Sequence, residues 1–179
     1  YLIGHSVENG GLGKAGHFRK IVELLWGKTN PHKRFVWHPW AEEINEAVHR
    51  NPWDGSADPH TAISGCGKSG KTEFMGVFAL VNWVAAPERT LVLCTSTDLK
   101  AARKRIWGAV VSYYDALQDR PENFRRVDSQ GVIRLVSENG AVDDRCGISL
   151  LAGEKRHERD SIGKIIGSHN DRVFMLADE

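Results

Sequence analysis

Apolar positions along this chain change period several times, and each change marks an element. Phe18, Ile21, Val22, Leu24, Leu25 and Trp26 recur at helical spacing and predict a short amphipathic helix over 17–26. A second helix is predicted over 41–50, with Pro39 near its start and Glu42 and Glu43 in its first turn. Residues 73–83 read as a mostly apolar helix, and 99–117 as a long one with Lys100, Arg103, Lys104 and Arg105 near its start. Between the helices lie runs of strand length at 61–64, 90–95, 132–136, 147–152 and 172–177. The run Thr90-Leu91-Val92-Leu93-Cys94-Thr95 is almost continuously apolar, which suits a parallel strand covered on both faces. Strands alternating with helices predict βαβ units, hence an α/β fold with a largely parallel sheet. Asn30-Pro31, Ala86-Pro87 and Asn139-Gly140 punctuate the pattern as turns.

Composition narrows the class without naming a chemistry. The 179 residues suit a single domain, 41 % hydrophobic and 26 % charged, as in ordinary soluble proteins. Lys and Arg number 24 against 23 Asp and Glu, a net charge of +1, so any affinity for nucleic acid has to come from a local patch. Cys66, Cys94 and Cys146 form no CxxC and suit a reducing compartment. The eight His show no metal-ligand spacing. No run approaches the roughly 20 apolar residues that span a bilayer, so no membrane partner is expected. No secretory signal is present either. An opening at Tyr1 rather than Met fits a fragment or a processed product.

The chemistry is concentrated in Gly65-Cys66-Gly67-Lys68-Ser69-Gly70-Lys71-Thr72, which fits G-x-x-x-x-G-K-[ST] at every fixed position. That pattern is a phosphate-binding loop when a strand precedes it and a helix follows it. Thr61 to Ser64 and Glu73 to Trp83 are expected to supply them. Gly65, Gly67 and Gly70 let the backbone take positive φ and approach an anion. Successive N–H groups then converge as a nest, and the helix adds its unpaired N-terminal donors. Lys71 is placed to reach the β- and γ-phosphates of ATP, and the Thr72 hydroxyl to ligate Mg²⁺. Lys68 is a further cation within the loop.

The end of the sequence supplies a complementary half. Arg172-Val173-Phe174-Met175-Leu176-Ala177 is a strand-like run that closes on Asp178 and Glu179. Open α/β sheets bind ligands at the carboxyl ends of their strands. There Asp178 would serve Mg²⁺ through its water shell, and Glu179 would polarise an attacking water as general base.

Taken together, these residues resemble the N-terminal ATPase domain of phage terminase large subunits. The likeness covers roughly 35–179 and rests on four stretches. They are Phe35-Val36-Trp37-His38-Pro39-Trp40, the phosphate loop, Leu91 to Thr97 with the basic helix start behind it, and Ile162-Gly163-Lys164-Ile165-Ile166-Gly167 running into the Asp-Glu strand. The first resembles the family's adenine-binding segment, which implies base contacts from Trp37, Pro39 and Trp40. Ala41 stands where the family often has Gln, and the loop holds Lys68 but no Arg. The resemblance implies a three-layer P-loop NTPase, a mostly parallel central sheet flanked by helices. It implies a core at 35–179 behind an N-terminal lead-in at 1–34, truncated at Glu179 before the rest of the ATPase fold and the nuclease domain. It also implies double-stranded DNA, the portal and the small terminase subunit as partners, a ring-forming homo-oligomer, and the cytoplasm of a bacterial host.

Several residues keep two readings. Arg156 and Arg159 fit an arginine finger or a DNA-loop contact, and equally a solvated charged loop. Lys100, Arg103, Lys104 and Arg105 fit phosphate contacts or a solvated helix face. Trp37 and Trp40 fit stacking on a base or core packing. Thr95, Ser96 and Thr97 fit a γ-phosphate sensor or a DNA contact, and equally a cap on the following helix, with Thr97 or Asp98 at the N-cap. The expected activity is Mg-ATP hydrolysis driving DNA packaging. A superfamily 2 type helicase and a nucleotide-holding assembly module are the competing readings.

Overall fold

A computed structural model of the chain describes residues 13–49, 61–137, 139–141, 145–151 and 170–178. Helix α1 (Gly13–Trp26) starts ahead of the expected boundary and buries Ala15, Phe18, Val22 and Trp26 along one stripe. Asn30 then fastens the turn that follows. Its side-chain amide donates to the Leu25 and Ala116 carbonyls at 2.8 Å, and its oxygen accepts from the backbone of His32 and Lys33. The Trp26 indole N–H donates to the Tyr113 carbonyl at 2.9 Å, so α1 belongs to the main core.

Pro39 at the N-terminus starts α2 (Pro39–Val48), because its fixed φ suits a first helical turn whose N–H has no partner. Helix α3 (Lys71–Ala85) is buried continuously from Gly76 to Trp83, as expected for a helix that is apolar all round. A Cβ on Gly76 would lie 3.1 Å from Ala109, so this glycine sets the close approach of α3 to the helix carrying Ala109. That helix begins as α4 (Leu99–Ala102), widens into a π-helical turn over Arg103–Trp107, and continues as α5 (Gly108–Asp115). The predicted long helix is thus present, with one wide turn that sequence periodicity does not reveal.

Among the described residues the sheet has five strands: β1 (Thr90–Ser96), β2 (Phe124–Val127), β3 (Val132–Leu135), β4 (Gly147–Leu150) and β5 (Arg172–Asp178). Their order is β2-β3-β4-β1-β5. β1 runs parallel to both β4 and β5, whereas β3 is antiparallel to β2 and to β4. Four strands therefore share one direction and β3 alone opposes them, so the sheet is mostly parallel, as expected, with a single reversal at β3. The reason is length. A parallel return takes a crossover of a dozen or more residues, and the connections on either side of β3 are shorter. Gly131 (φ 63) and Gly140 (φ 78) occupy the left-handed turn positions of those two connections.

Two expectations change. β2, with Arg125 and Arg126 at its centre, carries no strand pattern and exists through its pairing with β3 and the packing of Phe124 on Trp83, with ring centroids 4.5 Å apart. Conversely, Thr61 to Ser64 form no strand but irregular backbone leading into the loop. A strand is stabilised by its neighbour, and among the described residues no ladder reaches this segment.

Candidate phosphate and magnesium site

The glycine-rich loop reaches α3 through two left-handed residues, Lys68 (φ 63) and Gly70 (φ 91). Gly70 is the N-cap, and its carbonyl accepts the Phe74 N–H at 3.0 Å. Side-chain capping is absent, so the first-turn N–H groups of α3 stay available to an anion. The Lys71 ammonium turns back on the loop and donates to the carbonyls of Gly65 at 2.5 Å and Cys66 at 3.1 Å. Beside it the Ser69 hydroxyl is buried without a hydrogen-bond partner. Gly65 lies beside both groups: a Cβ there would sit 3.6 Å from the Ser69 Oγ and from the Lys71 Nζ. An orphaned hydroxyl, a cation bonded to neutral carbonyls and a row of free N–H donors fit a phosphate chain.

The acidic strand arrives from far along the chain. β5 pairs with β1 from Thr90↔Arg172 to Ser96↔Asp178, which carries Asp178 to the carboxyl edge of the sheet. There the Thr72 hydroxyl lies 3.3 and 3.2 Å from the two carboxylate oxygens of Asp178, across 106 residues of sequence. A hydroxyl and a carboxylate are the hard oxygen donors Mg²⁺ takes. Among the described residues no group of three or more His, Cys, Asp or Glu is assembled.

Surrounding contacts fix these groups. Glu73, next to Thr72, pairs with Lys33 at 3.0 Å, and Lys33 sits 4.8 Å above the Tyr113 ring. Burial pushes the Tyr113 phenol up, and the hydrogen bond and charge of Glu73 push it further, so the phenol stays protonated. At the other end of α3, the Arg172 guanidinium donates to the Asn82 side-chain oxygen at 2.9 Å and to its carbonyl at 3.3 Å. Burial, then the charge of Arg89, lowers the pKa of Arg172. Both ends of α3 are thus fastened to neighbouring elements. This network has no motif, and the sequence offered no signal for it beyond the position of Glu73 after the loop.

The two tryptophans of the aromatic segment separate. Trp37 packs edge-on to Phe18 and Phe35, with Arg19 5.4 Å over its ring. Trp40 lies against the loop: a Cβ on Gly70 would come within 3.1 Å of its Cζ2. Pro39 is exposed beside it. Asp98, not Thr97, caps the helix after β1, accepting the Ala101 N–H at 2.8 Å. The Ser96 hydroxyl, level with Asp178, is buried without a partner. Lys100, Arg103, Lys104 and Arg105 are exposed, and Arg103 also donates to the Ser129 carbonyl at 3.1 Å. Glu179, Arg156 and Arg159 lie outside the described residues.

No protein-family model matches the chain, and no curated protein matches it. Among solved structures it is similar to the large terminase of bacteriophage HK97, with a TM-score of 0.61 at 14 % identity over 93 % of this chain. The fold is terminase-like. The chain spans 38 % of that terminase's length. Among the described residues no helix is long and apolar enough to cross a membrane.

Proposed function

We propose that this chain is the ATP-hydrolysing part of a DNA-packaging motor, a reading supported by its fold likeness to a phage large terminase. The observation that carries the ATPase reading is the contact of Thr72 with Asp178. It joins the phosphate loop to the acidic strand at the sheet edge where α/β proteins bind nucleotides. Lys71 exchanges the Gly65 and Cys66 carbonyls for the β- and γ-phosphates, and the Ser69 hydroxyl gains its partner. Mg²⁺, when bound, supplies charge neutralisation between phosphate oxygens, and Thr72 and Asp178 would hold it. Glu179, next in sequence, orients water and accepts its proton. Trp40, which lies against the loop at Gly70, would contact the base, with Pro39 and Trp37 of the same segment contributing to its pocket. Arg156 or Arg159 would reach a neighbouring subunit of a ring assembled on double-stranded DNA with the portal and small subunit.

The test is phosphate release with Mg-ATP. The parent chain is expected to turn over. Lys71→Ala is expected to lose nucleotide binding, and Glu179→Ala to bind ATP while losing about 10²–10⁴-fold in rate. Equal ATP affinity in Lys71→Ala would exclude the loop as the phosphate site. Binding without turnover in the parent would leave a nucleotide-holding module instead.

A further inference from the structure

Trp40 is the second residue of α2, and its indole edge closes on the turn that aims Lys71. Gly70 holds φ 91 and ψ 10 directly ahead of the lysine. A side chain there would be strained by the backbone, and its Cβ would also lie 3.1 Å from Trp40 Cζ2 and 3.4 Å from Cη2. Glycine is therefore favoured by φ, and a Cβ there would also crowd the indole, which would have to give by a few tenths of an ångström.

The indole is backed by a fixed layer. Ala41 is fully buried, and the buried Asn45 amide donates to the Ala15 carbonyl of α1 at 2.9 Å. Glu42 is ion-paired with Arg19 of α1. The His38 ring runs nearly parallel to the indole, at 18° with centroids 6.1 Å apart. Among the described residues no strand leads into the phosphate loop, which is largely exposed. Among them, α3 follows the loop directly and Trp40 lies against its Gly70 turn.

We infer that Trp40 is a positioning residue for the phosphate loop: its indole edge holds the Gly70 turn in the geometry that directs Lys71 and the first N–H groups of α3 at phosphate, whether or not a base is present. This rests on the phosphate-loop reading above and assigns Trp40 a role that stacking on adenine does not. An unsupported loop samples more conformations when empty, and binding then has to order them.

Inorganic tripolyphosphate separates the two roles, because it has phosphates and no base. Dissociation constants for Mg-ATP and Mg-tripolyphosphate are measured for the parent, Trp40→Ala and Trp40→Phe, with thermal unfolding of each. Trp40→Ala is expected to weaken Mg-tripolyphosphate about tenfold and Mg-ATP by at least that factor, any excess being the base contact, and to raise KM for ATP more than it lowers kcat. Trp40→Phe, with a shorter ring, gives an intermediate loss, and supplies the reading if Trp40→Ala does not unfold cooperatively. Gly70→Ala is expected to cost more in the parent than in Trp40→Ala, where the indole no longer opposes the new methyl. Unchanged tripolyphosphate affinity in both Trp40 variants overturns the inference, and so does simple multiplication of the effects at 40 and 70. If the parent itself binds neither ligand, the phosphate-loop reading falls and takes this role with it.

Discussion

Helix α3 and strand β5 meet where Thr72 touches Asp178, and they reach that point from opposite surroundings. α3 is buried without interruption from Gly76 to Trp83, against α5 on one side and β1 on another. β5 has no fully buried residue, and Val173 and Met175 are 41 % and 58 % exposed. The phosphate half of the site is therefore held by side-chain packing. The acidic half is held by a backbone ladder to β1 along all of β5, by Phe174 against Phe78, and by Arg172 on Asn82. Packing in a close-packed core forgives little change in volume, whereas a ladder tolerates changes in outward side chains. Damage to the two halves should thus be unequal, although both contribute to the same few ångströms of chemistry.

The largest expected effect lies on the helix side. Phe74 is 1 % exposed and touches the rings of Phe18, Phe35 and Phe78, so it joins α1, the aromatic segment and α3. Phe74→Ala should cost about 3–5 kcal/mol in a urea or thermal unfolding experiment, through lost transfer energy and a cavity. A loss below about 1 kcal/mol would mean that α3 is not the anchor described here.

The elements that carry the candidate site were readable in advance, because the glycine-rich motif and the apolar run each have a fixed pattern. A helix begins at Lys71 directly behind the motif, and a strand ends at Asp178, as those patterns predict. Three features were hidden, each for a physical reason. β2 depends on a partner, since Arg125 and Arg126 deny it an apolar pattern. Thr61 to Ser64 have strand character but no ladder among the described residues. The separation of Trp37 from Trp40 turns on Pro39. Up to His38 the chain is extended, so Phe35 and Trp37 point inward while Val36 and His38 are exposed. Pro39 begins a helix, resets that alternation, and sends Trp40 toward the loop. The proline was visible in sequence, but its consequence for the next side chain follows only from where α2 docks.

A smaller effect, one of pH, should also belong to the helix side. His49 follows α2 and packs on Phe18 and Phe78, with ring centroids 4.9 and 5.8 Å away, and its Nδ1 donates to the Asn45 carbonyl at 2.9 Å. Burial lowers its pKa most. The Asn45 carbonyl opposes that, the charge of Lys14 adds to it, and Glu46 opposes it weakly. The folded protein therefore keeps a neutral imidazole where the unfolded chain takes up a proton. The contribution is complete above the ordinary value of about 6.5 and is lost as pH falls toward the depressed folded value. Urea midpoints at pH 7.5 and 5.5 should fall more for the parent than for His49→Gln. Equal slopes would remove His49 as the source.

The smallest effect is expected on the outward face of β5, and it is the sharpest test of the contrast. The parallel register sets Val173 beside Leu91 and Met175 beside Leu93, so these four side chains share a face. On β1 that face is covered: Leu91 and Leu93 are 5 % and 2 % exposed and cluster with Leu151. One strand further the cover stops. Met175→Ser removes a thioether that is mostly in water already, and it leaves untouched the backbone N–H and C=O that pair with β1. Surface substitutions of this kind stay within about 0.5 kcal/mol. Phosphate release should also be unchanged, because Asp178 is positioned by the ladder and not by the Met175 side chain. A loss above about 1 kcal/mol would show that this face is packed in solution. β5 would then be anchored on both faces like α3, and the two halves of the site would no longer differ in how they are held.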